Sequence, residues 1–297
     1  MKDSIAKADI LVGALAYIQE FRDAVVVVKF GGSAMEDNAC SESILTDVAF
    51  MECVGMRPLI VHGGGWAISH RMSESGLRAK FVHGLRVTDA QTIKIVADVL
   101  TNEVNPGIVT SLRAKGAKAQ ILRGEDVFQV TKRTELDPKT GERLDWGFVG
   151  VVEHVATDLI SACLSADIVP VITPLGSGPG GVYNINADDA AAAVARALRA
   201  RKLALLSDVP GLLRDPDDED SLMSTLKVSE VGSLIEDGVI SGGMIPKVRS
   251  AVEAMEAGVR KIHIIDGRLP HSLLLEIFTE KGVGTEIIQD DDDRTDN

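Results

Sequence analysis

Apolar residues along the chain gather in short blocks, and between the blocks they recur every three or four positions. The first block, Val25-Val26-Val27-Val28, is too short for a helix and apolar enough for a buried strand. The same reasoning predicts strands over 25–30, 58–62, 118–122, 167–172, 203–207 and 261–265. Helical periodicity predicts helices over 41–52, 66–75, 90–115, 153–165, 188–200, 228–236, 247–256 and 272–279. Such alternation implies an α/β protein whose mostly parallel sheet is covered on both faces. Segments 128–133 and 143–152 flank the turn sequence Asp137-Pro138-Lys139-Thr140-Gly141 and predict a β-hairpin, either a lid beside a pocket or a plain surface feature. Ahead of the first strand, Leu11, Leu15, Ile18 and Phe21 form one stripe with Ile10, Ala14 and Tyr17 beside it, so residues 1–23 read as an amphipathic helix.

Composition narrows the picture. With 297 residues the chain can bury a large core, as one α/β unit or as two lobes divided loosely near residue 200. A net charge of −13 argues against nucleic acid, because phosphate neutralisation needs a basic face. Part of that charge is local: Asp290 to Asp293 and Asp296, offset by Arg294, put −4 in a polar tail, 290–297, that reads as disordered. No apolar run approaches the ~20 residues of a membrane span. Cys40, Cys53 and Cys163 are far apart, with no CxxC pair, and read as reduced thiols of a cytoplasmic protein. Lys2 and Lys7 ahead of the apolar run 10–18 resemble a leader peptide, but Asp3 and Asp9 place acids in its supposed positive region.

An acidic protein with anionic ligands must build local positive sites from lysine, arginine and helix N-termini. Lys29-Phe30-Gly31-Gly32-Ser33 ends the first strand with a cation and two glycines, which reads as an anion site or as a simple turn. His62-Gly63-Gly64-Gly65 lies between a predicted strand and a predicted helix. Three glycines exceed the needs of a tight turn and favour an anion cradle at the helix N-terminus. Arg86, just before a helix that Thr88 or Asp89 can cap, is a candidate to fork onto a carboxylate, or else a surface residue. Gly176-Ser177-Gly178-Pro179-Gly180-Gly181 matches GxGxxG, but Pro179 and the extended stretch after it oppose a dinucleotide fingerprint.

Period-2 spacing puts Asn184 and Asn186 on one side of an extended segment, and Asp188 in the first turn of an alanine-rich helix. Asp188 reads equally as a cap or as an acid that orients lysines. Ser207-Asp208-Val209-Pro210-Gly211-Leu212 follows another strand, and Ser241-Gly242-Gly243-Met244-Ile245-Pro246-Lys247 leads into a helix. Lys247 there opposes the helix dipole unless an anion compensates. No GxxxxGK[ST] occurs, so a P-loop is excluded. Two lysines, glycine-lined N–H groups and an organising aspartate are what phosphoryl transfer requires: positioning and charge neutralisation.

The ordered set VVKFGGSAM, LIVHGGG, GLRVTD, YNINADDAA, LLSDVPGLL and GGMIPKV resembles the amino-acid kinase superfamily, and within it the acetylglutamate kinase family, from Val25 to Ile288. The resemblance implies a three-layer αβα sandwich with an acetylglutamate-binding lobe over 24–200, an ATP-binding lobe over 201–289, and an N-terminal oligomerisation helix over 1–23. It implies ATP-dependent phosphorylation of the γ-carboxylate of N-acetyl-L-glutamate in arginine biosynthesis, with Mg2+ held by ATP and water rather than by protein ligands. By position, Lys29 and Lys247 would stabilise the transferring phosphoryl group, and Asp188 would hold them in place. Gly64, Gly65, Arg86 and Asn184 would contact the acceptor. Gly31, Gly32, Asp208, Gly211, Leu212, Ser241 and Gly243 would contact the nucleotide, within the nucleotide segments 208–213 and 239–241. The two ends of the chain resemble the arginine-inhibited, hexameric branch, built as a trimer of dimers, with Tyr17, Glu276 and Gly284 as effector contacts. Trp66-Ala67 stands where a Pro-Gln pair is common in that branch, and Ser33 replaces a frequent asparagine.

Overall fold

The four valines begin a strand, and their β-branched side chains pack against layers on both sides of it. Residues 2–136, 140–215, 217–279 and 282–290 are described by the computed structural model. In chain order the strands are β1 (Val25–Phe30), β2 (Arg57–His62), β3 (Phe81–Val82), β4 (Leu85–Arg86), β5 (Ala119–Leu122), β6 (Phe128–Lys132), β7 (Glu135–Leu136), β8 (Arg143–Leu144), β9 (Gly150–Val155), β10 (Val169–Ile172), β11 (Leu175–Gly178), β12 (Gly181–Asn184), β13 (Lys202–Ser207), β14 (Thr225–Lys227), β15 (Lys261–Asp266) and β16 (Thr285–Ile288). The helices are α1 (Lys2–Gly13), α2 (Leu15–Phe21), α3 (Asn38–Cys53), α4 (Gly65–Glu74), α5 (Thr92–Val99), α6 (Asn105–Ala114), α7 (Asp158–Ser165), α8 (Ala187–Leu198), α9 (Val231–Glu236), α10 (Met244–Glu256) and α11 (Ser272–Ile277).

Eight strands form the central sheet in the order β14-β16-β15-β13-β1-β2-β10-β5. All neighbours pair in parallel except β15 and β16, where Ile262 faces Ile287 in an antiparallel register. Side chains alternate across β1. Val26, Val28 and Phe30 join the core under α3, α6 and α11, whereas Val27 joins the core under α7, α8 and α10. Two helical layers on a mostly parallel sheet make the three-layer αβα sandwich. The same alternation sends Lys29, two residues after Val27, toward α8 and α10. The buried alanines 190–193 let α8 lie close to the sheet.

Several expected elements are redrawn. The single N-terminal helix is two, α1 and α2. The helix expected over 90–115 is broken by a π-helical turn, Leu100–Val104. Pro106 lacks an N–H and cannot donate to residue 102, so the ladder loosens just before it. The helix expected over 153–165 starts only at Asp158, because Val151, Val152 and Val155 extend β9 against β6. The hairpin joining β6 to β9 is present, with β7 and β8 nearer its tip, while Asp137, Pro138 and Lys139 lie outside the described residues. It belongs to a second sheet, β12-β11-β6-β9. In that sheet the GxGxxG stretch is simply the antiparallel pair β11–β12, with Ser177 opposite Val182. No helix opens inside it, so it carries no dinucleotide fingerprint. The tail beyond residue 290 lies outside the described residues.

Candidate active site

Three element ends converge at the C-terminal edge of the sheet, the usual ligand side of a parallel sheet. Lys29 is the penultimate residue of β1, and Asp188 and Lys247 lie in the first turns of α8 and α10. Asn186, not Asp188, caps α8: its Oδ1 accepts from the N–H of Asp188 at 2.7 Å and of Asp189 at 3.4 Å. The Asp188 carboxylate is thereby free to turn inward. Lys29 Nζ lies 3.1 Å from its Oδ1, and Lys247 Nζ donates to its Oδ2 at 2.9 Å.

Lys29 and Asp188 are each only 6% exposed. Burial opposes the charge on Asp188, but the two ammonium groups outweigh it and hold the carboxyl at about 2. Burial pushes Lys29 below its ordinary value; Asp188 offsets only part of that, and Lys247 adds to it. Burial also acts against Lys247, but there the charge and hydrogen bond of Asp188 prevail and raise it. Two cations sharing one carboxylate leave a net positive charge in a poorly hydrated place, complementary to a further anion.

Both glycine loops meet beside this cluster. A Cβ on Gly31 would lie 3.0 Å from Lys29 Nζ and 3.6 Å from the Gly63 Cα, so backbone and ammonium approach without an intervening side chain. Gly63 N–H donates to Phe30 O at 2.7 Å and stitches the two strand ends together. A Cβ on Gly64 would stand 2.5 Å from Leu100 Cδ2 in the π-helical turn. Gly32, at φ +70°, leads into the 3-10 turn Gly32–Met35.

His62, fully buried, is held near pKa 4 by desolvation, with the Gly63 carbonyl opposing only weakly. Unfolded, this imidazole takes up a proton near pH 6.5; folded, it resists until about 4. Below the unfolded pKa the unfolded state therefore binds more protons, and stability falls with acidification, by about 3 kcal/mol over the full window. Urea denaturation at pH 6.5 and 4.5 should register this loss, and His62→Gln should flatten that part of the profile. Equal slopes in the two proteins would remove His62 as its source.

Arg86 lies on β4, 7% exposed. Its guanidinium donates to Gly65 O at 3.0 Å and Ser69 Oγ at 2.9 Å, and covers the Phe81 ring at 4.7 Å. Among the described residues no carboxylate pairs with it, and burial lowers its pKa. The capping expectation resolves to Asp89, whose Oδ1 accepts from Thr92 N–H at 2.7 Å. Arg86, Gly64, Gly65, Trp66, Ser69 and Phe81 face one cavity of about 720 Å³. Trp66 is at its exposed rim, stacked on His70 with ring centroids 5.2 Å apart. At the β3–β4 turn, a Cβ on Gly84 would come within 3.9 Å of Pro246, next to Lys247. Asn184 ends β12 with its N–H on Phe148 O at 2.9 Å, and among the described residues no hydrogen bond engages its side-chain amide.

On the other side of the triad, Asp208 is exposed at the end of β13, and its charge contributes to the raised pKa of Lys247. Ser241, Gly242 and Gly243 are exposed ahead of α10. Gly211 and Leu212 differ: both are buried, and Leu212 N–H donates to Thr285 Oγ1 at 2.8 Å, so they shape this loop from within.

Of the expected effector residues, Glu276 and Gly284 meet beside β15, and Tyr17 reaches the same C-terminal segment through Phe278. Glu276 is buried; its Oε1 lies 2.5 Å from His263 Nδ1, and its Oε2 accepts from Val283 N–H at 2.7 Å and Gly284 N–H at 3.0 Å. Burial alone would raise its pKa, but these partners outweigh burial and lower it. Tyr17 on α2 packs against Phe278, just past α11, at 6.0 Å between ring centroids.

Sequence reading missed residues that brace the site. Asn105 contacts His62, and its signal was only the Pro106 that follows it. Asp189 accepts from Ser250 Oγ at 2.5 Å and from Arg133 at 2.9 Å, tying α8 to α10 and to the β6–β9 hairpin. Its sole mark in the sequence is that it repeats Asp188.

Residues 24–266 match the amino acid kinase family model. A protein of Heliobacterium modesticaldum named acetylglutamate kinase is 48% identical over 97% of this chain and 100% of its own length. A protein of the same name from Akkermansia muciniphila is 46% identical over 96% and 97%. Among solved structures, N-acetylglutamate synthase from Neisseria gonorrhoeae with coenzyme A and N-acetyl-glutamate aligns at TM-score 0.81 and 27% identity, over 94% of this chain and 62% of that one. The same synthase with coenzyme A and L-arginine aligns at 0.76 and 26%, over 93% and 64%. This chain thus spans less than two thirds of the synthase. Carbamate kinase of Giardia lamblia bound to AMP-PNP shares the fold at TM-score 0.61 and 20% identity, over 90% of this chain and 99% of its own.

The chain belongs to the amino acid kinase family, a family of phosphotransferases. Within that family it groups with the acetylglutamate kinases.

Proposed function

We propose that the protein transfers the γ-phosphoryl group of ATP to the γ-carboxylate of N-acetyl-L-glutamate, giving N-acetyl-L-glutamyl 5-phosphate and ADP, in the arginine biosynthesis of the cytoplasm. The observation that carries this reading is the pair of lysines, 218 positions apart in sequence, sharing the buried carboxylate of Asp188. An acceptor carboxylate oxygen attacks Pγ as the bond from Pγ to the β-bridging oxygen breaks. Charge spreads over the equatorial and bridging oxygens, which Lys29, Lys247 and the glycine-loop N–H groups are placed to meet. Arg86, buried and among the described residues without a carboxylate partner, suits the α-carboxylate of the acceptor, and the side-chain amide of Asn184, which no hydrogen bond engages among those residues, can assist. In this reading residues 24–200 hold the acceptor and 201–289 the nucleotide, with Asp208, Ser241 and Gly243 toward ATP. In this reading Mg2+ arrives on the triphosphate, held mainly by ATP and water, while Asp188 is engaged by the two ammonium groups.

ADP release measured with N-acetylglutamate tests the reading. No turnover with this acceptor, and turnover with another small acid, would replace it with a sister activity.

Arginine control is supported by a separate observation: α2 meets the residue just past α11 through Tyr17 and Phe278, two residues beyond the buried Glu276 that pairs with His263. A structural neighbour was solved with L-arginine. Glu276, Tyr17 and Gly284 are accordingly proposed as effector contacts. Glu276→Gln should raise the arginine concentration for half-inhibition at least about tenfold, the cost of one charge-assisted contact, with uninhibited kcat retained. Wild-type activity that stays flat across millimolar arginine would end this reading. Ile10, Leu11 and Val12 on α1 are an exposed apolar face, which suits a hexamer built through these helices. Light scattering that gives a dimer would count against that assembly.

A further inference from the structure

His62 is the one fully buried imidazole at the active-site edge, and the phosphoryl-transfer steps above do not use it. Its Nδ1 lies 2.7 Å from the carbonyl oxygen of Gly63, and its Nε2 lies 3.1 Å from Asn105 Nδ2. That same Nδ2 is 2.9 Å from Val171 O. A carbonyl oxygen only accepts, so the Asn105 atom facing it must be the NH2 group. The NH2 group then faces Nε2, which must accept and carries no proton. The ring proton therefore sits on Nδ1 and is donated to Gly63 O. A doubly protonated ring would turn an N–H against the Asn105 amide. The depression of the His62 pKa to about 4 by burial agrees with a neutral ring at neutral pH.

Gly63 C=O and Gly64 N–H belong to one planar trans peptide and point in opposite directions. Pinning the oxygen toward the protein interior turns the Gly64 N–H the other way. That N–H heads α4, and among the described residues it donates to no group. Two glycines in sequence have little intrinsic preference for one peptide orientation over its flip. Leu100, packed where a Gly64 side chain would be, holds position but not peptide orientation.

We infer that His62 is a positioning residue for the reaction: held in its Nδ1–H tautomer by Asn105, it locks the Gly63–Gly64 peptide so that the Gly64 N–H faces the transferring phosphoryl group. This rests on the proposed kinase reading. The chain Val171 O, Asn105, His62, Gly63 O thus links β10 to an anion-facing donor without touching either substrate.

A matched pair of variants tests it. In His62→Asn the amide nitrogen can stand where Nδ1 does and keep the bond to Gly63 O. In His62→Gln the amide reaches the Nε2 position and keeps only the Asn105 contact. Each variant retains one polar contact, so thermal midpoints should be similar. His62→Asn should keep kcat within about threefold of wild type, while His62→Gln should lose about a hundredfold in kcat, the size of one transition-state donor, with KM for ATP and N-acetylglutamate little changed. Equal kcat losses in the two variants, or a loss confined to KM, would overturn the inference. A wild-type measurement stands apart from folding of the variants: long-range proton–nitrogen spectra of protein with 15N-labelled histidine should show His62 protonated on Nδ1 alone. A proton on Nε2 would overturn it equally. Wild-type turnover of N-acetylglutamate is recorded first; its absence would count against the kinase reading, while the tautomer still judges the hydrogen-bond chain.

Discussion

Lys29→Ala should lower kcat by about a thousandfold or more while leaving KM for N-acetylglutamate within about threefold. The charge it removes lies in a site where Lys29 is 6% exposed, so water replaces it poorly. Groups that meet the charge of a transferring phosphoryl are worth about 10³ to 10⁵ in kcat in comparable enzymes. The fold should survive, because Asp188 keeps Lys247 as a 2.9 Å partner and the remaining pair is neutral. Asp188→Ala is the contrasting case: it leaves the buried Lys29 and the half-buried Lys247 without their shared anion and should cost stability as well as rate. Lys29→Arg should not restore activity, since a planar guanidinium needs room where Lys29 Nζ already lies against Gly31. Steady-state kinetics decide it. If Lys29→Ala merely raises KM, the phosphoryl-stabilising role is wrong.

Arg86→Leu should raise KM for N-acetylglutamate by about a hundredfold, with a smaller effect on kcat and almost none on KM for ATP. Losing one member of a buried charge pair costs roughly 2–5 kcal/mol of binding, and a hundredfold is the lower part of that range. Thermal stability should stay level or rise, because among the described residues this buried cation has neutral partners only: Gly65 O, Ser69 Oγ, Met72 Sδ and the Phe81 face. Arg86→Lys should recover little, as an ammonium cannot make the fork. Binding that weakens no more than about threefold would take Arg86 out of the acceptor site. A parallel fall in stability would instead make it a packing residue.

Much of the architecture was legible because hydrophobic periodicity reports burial directly. The valine block, the leucine- and isoleucine-rich strands and the alanine-rich α8 all lie where the pattern put them. The misplaced boundaries arise because the hydrophobic pattern is blind to hydrogen bonds, both those gained across a sheet and those lost along a helix. Residues 153–155 carry a helix-compatible Glu153-His154, yet join β9 because β6 lies alongside. The π-helical turn before Pro106 is likewise set by a lost hydrogen bond rather than by any change in polarity. Asp188 was ambiguous between cap and charge organiser until Asn186 proved to hold the cap.

The alternating layers, the lysine and glycine clusters at strand ends and, through their ordered set, the family are all written in the order of residues. Which clusters share a site follows from folding alone. It brought Lys29 and Lys247 onto one carboxylate, set Gly31 against Gly63, and buried Arg86 where no described residue supplies a counterion. It also gave His62 its chemistry, since a ring tautomer depends on neighbours 43 and 109 positions away, Asn105 and Val171. Periodicity along a chain records which face of an element is dry. Distances between element ends depend on strand order and helix packing, and those follow from the whole core at once.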